Sequence, residues 1–206
     1  MSADRISRLV FWVGGVILPS ITSTSLRILA SDRAEDIDLR LAVLDLDRLL
    51  WTGGICPEEF CHRAIALTSA TITTDKLFAT LPEHVEPLSG MPLLVAELAA
   101  QRRLTMVSDY PRRWLLPVVE RSRLSQWFPD EAVFYCAEHQ VSGEYTELFA
   151  TLVNMNIIVP GSSLWVDHHP KRSHVAVRQG IDVAIFVDAR RLRRDLGLWG
   201  LMTFDG

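Results

Sequence analysis

The sequence contains few cysteines and no paired cysteine motif. Its 206 residues include three, Cys56, Cys61 and Cys136, and no two of them are spaced as CxxC. An odd number without such a pair argues against a disulfide framework and indicates free thiols in a reducing environment. We therefore expect a cytoplasmic protein.

The sequence also has no excess of basic residues, with 21 lysines and arginines against 25 aspartates and glutamates. The formal net charge is −4 at pH 7, which argues against nucleic acid as the main partner, because polyanions are bound through clustered lysine and arginine. The sequence shows no repeat and no low-complexity tract. Its hydrophobic content of 49% suffices for one sizeable core, alone or with a small appended domain.

No apolar stretch is long enough to cross a bilayer. The stretch that comes nearest to a targeting signal runs from Arg8 to Ile21, where a basic residue is followed by apolar ones. It contains two glycines and a proline, and no small-x-small cleavage site follows it. We interpret its beginning as a buried strand and expect no membrane partner.

Hydrophobic patterning predicts that short strands alternate with helices through most of the chain. The predicted strands are Arg8–Val13, Leu104–Val107, Ala132–Cys136, Ser163–Val166 and Val183–Val187. The predicted helices between and after them are Met91–Gln101, Pro111–Arg121, Glu144–Met155, Lys171–Gln179 and Arg190–Leu196. This order predicts right-handed βαβ units and an α/β fold with a five-stranded parallel sheet, whose central strand contains Leu9.

A helical block interrupts this alternation after the first strand. From about residue 23 to 81 the apolar residues follow helical spacing and strand signals are few. We interpret residues 20–84 as a helical cap and residues 1–19 and 85–206 as the α/β core. In such folds the functional residues follow the strands, at the carboxyl edge of the sheet that this cap would cover.

Several segments resemble, in chain order, the motifs of one enzyme family, with h standing for an apolar residue. RLVFWVGGVILPS is similar to hhhFDLGGVhhD, and MVSDYPRRWL is similar to hhSNxPxxxL. VFYCAEHQVSGEYTELF is similar to FxSxExGxRKPxPExF, and SLWVDHHPKRSHVAVRQGIDVAIF to hhFVDDxxxNhxxAxxxGhxxhhF. Together with WTGGICPEEF, which is similar to a cap motif, these segments resemble the haloacid-dehalogenase-like (HAD) hydrolases of the capped branch with a DxGGV-type first motif.

The resemblance implies a Rossmann-like core and a specific chemistry. In that family an aspartate after the first strand attacks a phosphoryl or haloalkyl centre, and a serine or threonine and a lysine hold the anionic group. Acidic residues after the fourth strand bind Mg²⁺ together with the nucleophile.

The chain departs from the family pattern at the decisive positions. Trp12 replaces the nucleophile, Gly143 replaces the lysine, and His168 replaces the second aspartate of the fourth motif. Gly14, Ser108, Asp109 and Asp167 are the other members of this degenerate site, and Asp167 is a weak metal ligand by itself. We therefore expect that catalysis is lost and that no cofactor is required, with Mg²⁺ needed only under the alternative below.

Two function classes follow from this pattern. The first is a HAD-fold pseudoenzyme that binds a small anionic ligand or a protein partner, and a homodimer is compatible with it. The second is an active phosphatase on a small phosphorylated metabolite that uses an unconventional acid. We prefer the first, because an indole at position 12 has no oxygen that could attack or bind a metal.

Another placement of the first motif deserves comparison. LAVLDLDRLLW, with Asp45 and Asp47, is similar to hhhDhDxTLW and would supply a nucleophile. Its neighbours follow helical spacing, and Arg48 takes the place of the usual small loop residue. We therefore interpret Asp45 and Asp47 as part of a solvated helix face.

Other polar residues could take part in binding. Ser108, Arg112 and Lys171 are the predicted ligand-binding residues, with Arg113 and Arg172 as further cations that could hold an anion. Asp109, Asp167, His168, His169 and His174 could also form a transition-metal site. We prefer the interpretation that His168 and His169 are solvated or capping residues of a loop at a helix start.

Overall fold

A parallel five-stranded sheet forms the centre of the protein. The computed structural model describes residues 5–33, 35–141 and 144–202. The strands are β1 (Arg8–Trp12), β2 (Arg103–Ser108), β3 (Val133–Tyr135), β4 (Ser163–Asp167) and β5 (Asp182–Ile185), in the order β3-β2-β1-β4-β5. All four pairings are parallel. The predicted fold class and the central position of the first strand are confirmed.

Helices flank the sheet and connect its strands. They are α1 (Ile21–Leu29), α2 (Ile37–Trp51), α3 (Pro57–Thr68), α4 (Thr74–Glu83), α5 (Met91–Ala99), α6 (Arg112–Arg121), α7 (Tyr145–Asn154), α8 (Pro170–Arg178) and α9 (Ala189–Leu198). Most predicted bounds differ from these by only one or two residues. No helix in the described ranges is long and apolar enough to cross a membrane.

The central strand is apolar because both of its faces are covered. Leu9, Val10 and Phe11 are fully buried, as expected for a parallel strand with helices on either side. The register places Trp12 opposite Val107 of β2 and Phe11 opposite Val166 of β4. The carboxyl ends of these three strands therefore meet at one edge of the sheet, as predicted.

Helices α1 to α4 follow β1 without an intervening strand. Each begins at a side-chain cap, because Ser20, Asp36, Cys56 and Thr73 each accept a hydrogen bond from a backbone amide of the first turn. Helix α3 begins with Pro57, whose missing N–H costs nothing at the first helical position. The four helices lie within the predicted cap range, and the division into core and cap domains stays a prediction.

The rival first motif is part of a helix. Its aspartates, Asp45 and Asp47, lie in the middle of α2, and the central strand of the sheet is Arg8–Trp12. The placement of a nucleophile at Asp45 is therefore wrong. The two aspartates do not share one environment, however, since Asp45 is exposed and Asp47 is only 6% exposed. The expectation that Asp47 lies on a solvated face is wrong as well.

Truncation of the central strand should destabilise the whole protein. Leu9 is fully buried, whereas Leu93 on α5 is 71% exposed. We expect Leu9→Ala to lower the free energy of unfolding by roughly 2–5 kcal/mol, because a cavity remains where the side chain was. Leu93→Ala should change it by no more than about 0.5 kcal/mol. Urea denaturation of both variants measures the difference, and equal losses would contradict the assignment of β1 to the core.

Candidate functional site

The carboxyl edge of the sheet opens into a cavity of about 490 Å³ between the strand ends and α2. Trp12 and Gly14 line it from the end of β1, Asp109 from the end of β2, and Arg172 from α8. Asp47 lines it from α2. The cavity therefore lies where the sequence pattern predicted a site, and it includes a helix that the motif analysis did not assign to it.

The centre of the site is an ion pair between Arg172 and Asp167. The guanidinium donates to both carboxylate oxygens, with Nε–Oδ2 at 2.5 Å and Nη2–Oδ1 at 2.8 Å. The carboxylate also accepts hydrogen bonds from the Trp165 indole at 2.9 Å and from the His169 amide at 3.0 Å. Asp167 is fully buried and Arg172 is 5% exposed. The oxygens of Asp167 are thus committed to neighbouring donors.

Burial by itself would raise the pKa of Asp167. The charge and the hydrogen bonds of Arg172 oppose it and, with the His169 amide and the Trp165 indole, hold this pKa below its usual value. Burial also tends to lower the pKa of Arg172, but the Asp167 charge outweighs it and the net shift is upward. Both side chains are therefore charged in the folded protein.

The same guanidinium packs on the indole of Trp12, the residue at the predicted nucleophile position. The Arg172 carbon Cζ lies 3.6 Å from the centroid of the Trp12 ring, which is close for a cation–π contact. Trp51 packs edge-on against Trp12 with centroids 5.8 Å apart, and Trp165 lies 6.2 Å away. Trp12 is 2% exposed. Arg172 is thus held between an aromatic face and a carboxylate.

Sequence reasoning gave Arg172 only a minor role as a further anion-binding cation. A sharper signal was present, because the fourth motif places an asparagine at the position of Arg172. An arginine there, five residues after the single remaining aspartate Asp167, could have suggested an internal ion pair. The signal becomes specific only when the turn between β4 and α8 brings the two side chains together.

Asp109 depends on the glycine that follows β1. The Gly14 amide donates to Asp109 Oδ1 at 2.8 Å, and a Cβ atom at Gly14 would lie 2.1 Å from Asp109 Oδ2. Only glycine therefore allows this approach. Burial raises the pKa of Asp109 to about 6, against the lowering effects of Arg172, the Gly14 amide and the Trp12 side chain.

Asp47 is the second buried carboxyl group of the cavity. The Thr22 hydroxyl donates to its Oδ2 at 2.7 Å, while its buried Oδ1 accepts no hydrogen bond from the described residues. Burial and the charge of Asp109 raise the pKa of Asp47 to about 7, against opposing effects of Thr22 and Arg172. Sequence reasoning missed this residue because helical spacing alone does not show which face of α2 covers the site.

The predicted ligand-binding residues are not brought together. The Ser108 hydroxyl donates to the Tyr110 carbonyl at 2.8 Å and accepts from the Tyr110 amide at 3.0 Å, so it closes a local turn. Arg112 pairs with Asp130 and lies 3.6 Å from Glu138. Lys171 lines the cavity. Joint anion binding by Ser108, Arg112 and Lys171 therefore stays a prediction without geometric support.

The histidines have structural surroundings. His169 Nδ1 accepts from the Arg172 amide at the start of α8, and its ring packs edge-on against Tyr145. The His168 ring lies against Gly15, where a Cβ atom would be 2.5 Å from it. His174 is exposed. Within the described ranges, no three acidic, cysteine or histidine side chains are grouped so that they could hold a metal ion.

The Mg²⁺ ion of the HAD pattern does not match this set of side chains. Mg²⁺ requires an octahedral shell rich in oxygen ligands. Here Trp12 contributes no oxygen, and the oxygens of Asp167 already bind Arg172. The position of the family's lysine, Gly143, lies outside the described residues.

The buried ion pair should be essential for stability. We expect Arg172→Met to lower the free energy of unfolding by roughly 3–5 kcal/mol, because Asp167 would remain buried without its partner. Arg178→Met, on the exposed face of the same helix, is the matched control. The double variant Arg172→Met/Asp167→Leu should recover much of the loss, since the charge of Asp167 is removed together with that of its partner. Similar, small losses in both single variants would contradict the assigned role of Arg172.

Asp47 should make the stability of the protein fall as the pH rises. Its pKa is about 7 in the folded protein, above the ordinary value of 3.8. The contribution of this shift to the free energy of unfolding is therefore fully present below about pH 4 and is lost as the pH rises through about 7. We expect Asp47→Asn to gain roughly 1–3 kcal/mol relative to the wild type between pH 5 and pH 8.

Urea denaturation at the two pH values measures this effect. Asp109, whose pKa is about 6, contributes a change of the same sign in both proteins, so the comparison isolates Asp47. Asp38→Asn, at an exposed position of α2, should keep the wild-type pH dependence. If Asp47→Asn keeps it too, then Asp47 is not a buried carboxyl group with a raised pKa.

The architecture is that of known HAD enzymes. No family profile and no curated protein matches the sequence. Among solved structures, a HAD family enzyme from Bacteroides thetaiotaomicron is similar with a TM-score of 0.68 and 14% identity, over 89% of this chain and 94% of that one.

Two further structures agree. A predicted HAD-like family hydrolase from Porphyromonas gingivalis has a TM-score of 0.68 and 17% identity, over 94% of this chain and 97% of that one. The L-2-haloacid dehalogenase from Xanthobacter autotrophicus, with chloropropionic acid covalently bound, has a TM-score of 0.67 and 18% identity, over 96% and 85%. The expected resemblance is confirmed in three dimensions, and the chain has the fold of the HAD-like hydrolases.

Proposed function

We propose that this chain is a non-catalytic protein of the HAD fold that binds a ligand in the cavity at the carboxyl edge of its sheet. The observation that carries the proposal is the position of the Arg172 guanidinium, between Asp167 and the face of Trp12. It places a permanent internal cation beside the motif positions that the family uses for its nucleophile and its metal ion.

Uncatalysed hydrolysis of a phosphate monoester has a very high activation barrier. Enzymes that hydrolyse phosphate monoesters lower that barrier by on the order of 20 kcal/mol or more. Most of this comes from a positioned nucleophile and from electrostatic stabilisation of the transferring group. Trp12 supplies no nucleophile, and the charge of Arg172 is already balanced by Asp167. Ser108 is bonded to its own turn and supplies little.

A cytoplasmic location is part of the same proposal. Its support is that all three cysteines are free thiols, with Cys61 and Cys136 buried. Burial raises the pKa of both thiols, so they are unreactive small apolar side chains rather than nucleophiles.

A second candidate is an active phosphatase on a small phosphorylated metabolite. The observation that favours it is the pair Asp47 and Asp109, two buried carboxyl groups that line the cavity and titrate near neutral pH. Groups with such pKa values are suited to general acid–base catalysis. Under this candidate they would be the unconventional acid that the motif analysis left open.

Activity measurements separate the two candidates. We expect the purified protein to hydrolyse p-nitrophenyl phosphate and 2-chloropropionate, with Mg²⁺ present, no faster than its Asp109→Asn variant. Turnover that is lost in Asp47→Asn and Asp109→Asn, but retained in Asp38→Asn, would establish the phosphatase candidate and overturn the proposal.

A metal-binding measurement adds a test that does not depend on the choice of substrate. We expect millimolar Mg²⁺ to leave the melting temperature of the protein unchanged, because Asp167 has no free oxygen. A rise in melting temperature that disappears in Asp167→Asn would show that Mg²⁺ displaces Arg172, and it would count against the proposal.

A further inference from the structure

The charges that line the cavity are not evenly balanced. Arg172 is paired with Asp167, and Arg48 faces Glu144 across the opening, with Nη2–Oε1 at 3.9 Å. Lys171 is exposed to solvent at the opening. What remains in the interior is Asp47 and Asp109, and among the described residues the cation that acts on both is Arg172, which is already bound to Asp167.

The unmet hydrogen-bonding capacity lies at Asp47. Its side chain lines the cavity and is 6% exposed. Oδ2 accepts from Thr22, whereas Oδ1 is buried and accepts nothing from the described residues. An oxygen of a buried carboxyl group that lacks a donor is costly, and a ligand that donates to it would remove that cost.

Part of the cavity wall is apolar and aromatic. Trp51 and Leu44, both on α2, line it together with the indole of Trp12. Aromatic faces attract cations, and buried carboxylates pair with them. By contrast, an anion would have to approach Asp47 and Asp109, and the interior cation of the described residues, Arg172, is already paired with Asp167.

We propose that the cavity binds a small organic cation, an ammonium or amidinium group attached to an apolar body. The charged group donates to Asp47 and faces Asp109, and the apolar body packs against Trp51 and Leu44. This inference rests on the proposed ligand-binding function. It replaces the small anionic ligand expected from the family resemblance with a ligand of the opposite charge.

The test uses four probes that share one ring and differ in charge. Benzylamine, benzyl alcohol, benzoate and benzyl phosphate are titrated into the protein at neutral pH, with calorimetry as the readout and tryptophan fluorescence as a check. We expect benzylamine to bind at least about tenfold more tightly than benzyl alcohol, a difference of roughly 1.4 kcal/mol, and the two anions to bind more weakly than the alcohol.

Variants assign the binding to the interior carboxyl groups. Asp47→Asn should weaken benzylamine at least about tenfold, whereas Asp38→Asn, which removes the same charge from an exposed position of the same helix, should leave the affinity unchanged. Asp109→Asn is a second variant with the same expected loss, and circular dichroism establishes that each variant is folded.

Two results would overturn the inference. One is tight binding of benzoate or benzyl phosphate that Lys171→Ala abolishes, which would make the ligand an anion held at the opening. The other is equal binding of all four probes, which would leave no role for charge. Neither result bears on the proposed loss of catalysis, because the activity and Mg²⁺ measurements test that proposal separately.

Discussion

The site is organised around one interaction, the contact of the Arg172 guanidinium with Asp167 and with the face of Trp12. A carboxylate as deeply buried as Asp167 cannot remain charged without a partner. Once Arg172 supplies that partner, its flat guanidinium needs a flat apolar surface on its other side, and Trp12 provides one. The tryptophan at the nucleophile position and the arginine on α8 are therefore parts of the same arrangement.

This arrangement explains why several departures from the family pattern occur together. A site with aspartate at positions 12, 167 and 168 concentrates negative charge and requires a divalent cation to balance it. With Trp12 and His168 in two of those positions, Asp167 is the single carboxylate of the three, and the Arg172 guanidinium balances its charge. Its oxygens already accept hydrogen bonds from neighbouring donors and are not free to bind a divalent ion. At these positions the substitutions are consistent with one another in charge and in shape.

Much of the architecture could be predicted from the sequence, because it depends on local patterns. The apolar run at Leu9–Val13 and the strand–helix alternation from Leu104 onward predicted the sheet and its central strand, and both are confirmed. The motif spacing also placed Trp12, Asp109 and Asp167 at one edge. Parallel strands bring their carboxyl ends together whatever the side chains are, so this part of the site follows from topology.

The chemistry inside the cavity could not be predicted in the same way. Asp45 and Asp47 both have apolar residues three and four positions away in α2, yet Asp47 is buried over the site and Asp45 is exposed. Which of them covers the cavity depends on how α2 rotates when Leu46, Leu50 and Trp51 pack, and that is a tertiary property.

The partner of Asp167 depends in the same manner on the turn between β4 and α8. The sequence places Arg172 among several cations near strand ends, and its spacing from Asp167 becomes specific only when this turn brings the two side chains together. In the structure Arg112 forms ion pairs with Asp130 and Glu138, and Lys171 is exposed at the edge of the cavity. Of these three cations, Arg172 is the one that is buried. Arg172 is already paired with Asp167. Under the proposed cation binding, the carboxyl groups of Asp47 and Asp109 therefore determine which ligands the cavity favours, and the family's preference for anions does not follow from the fold.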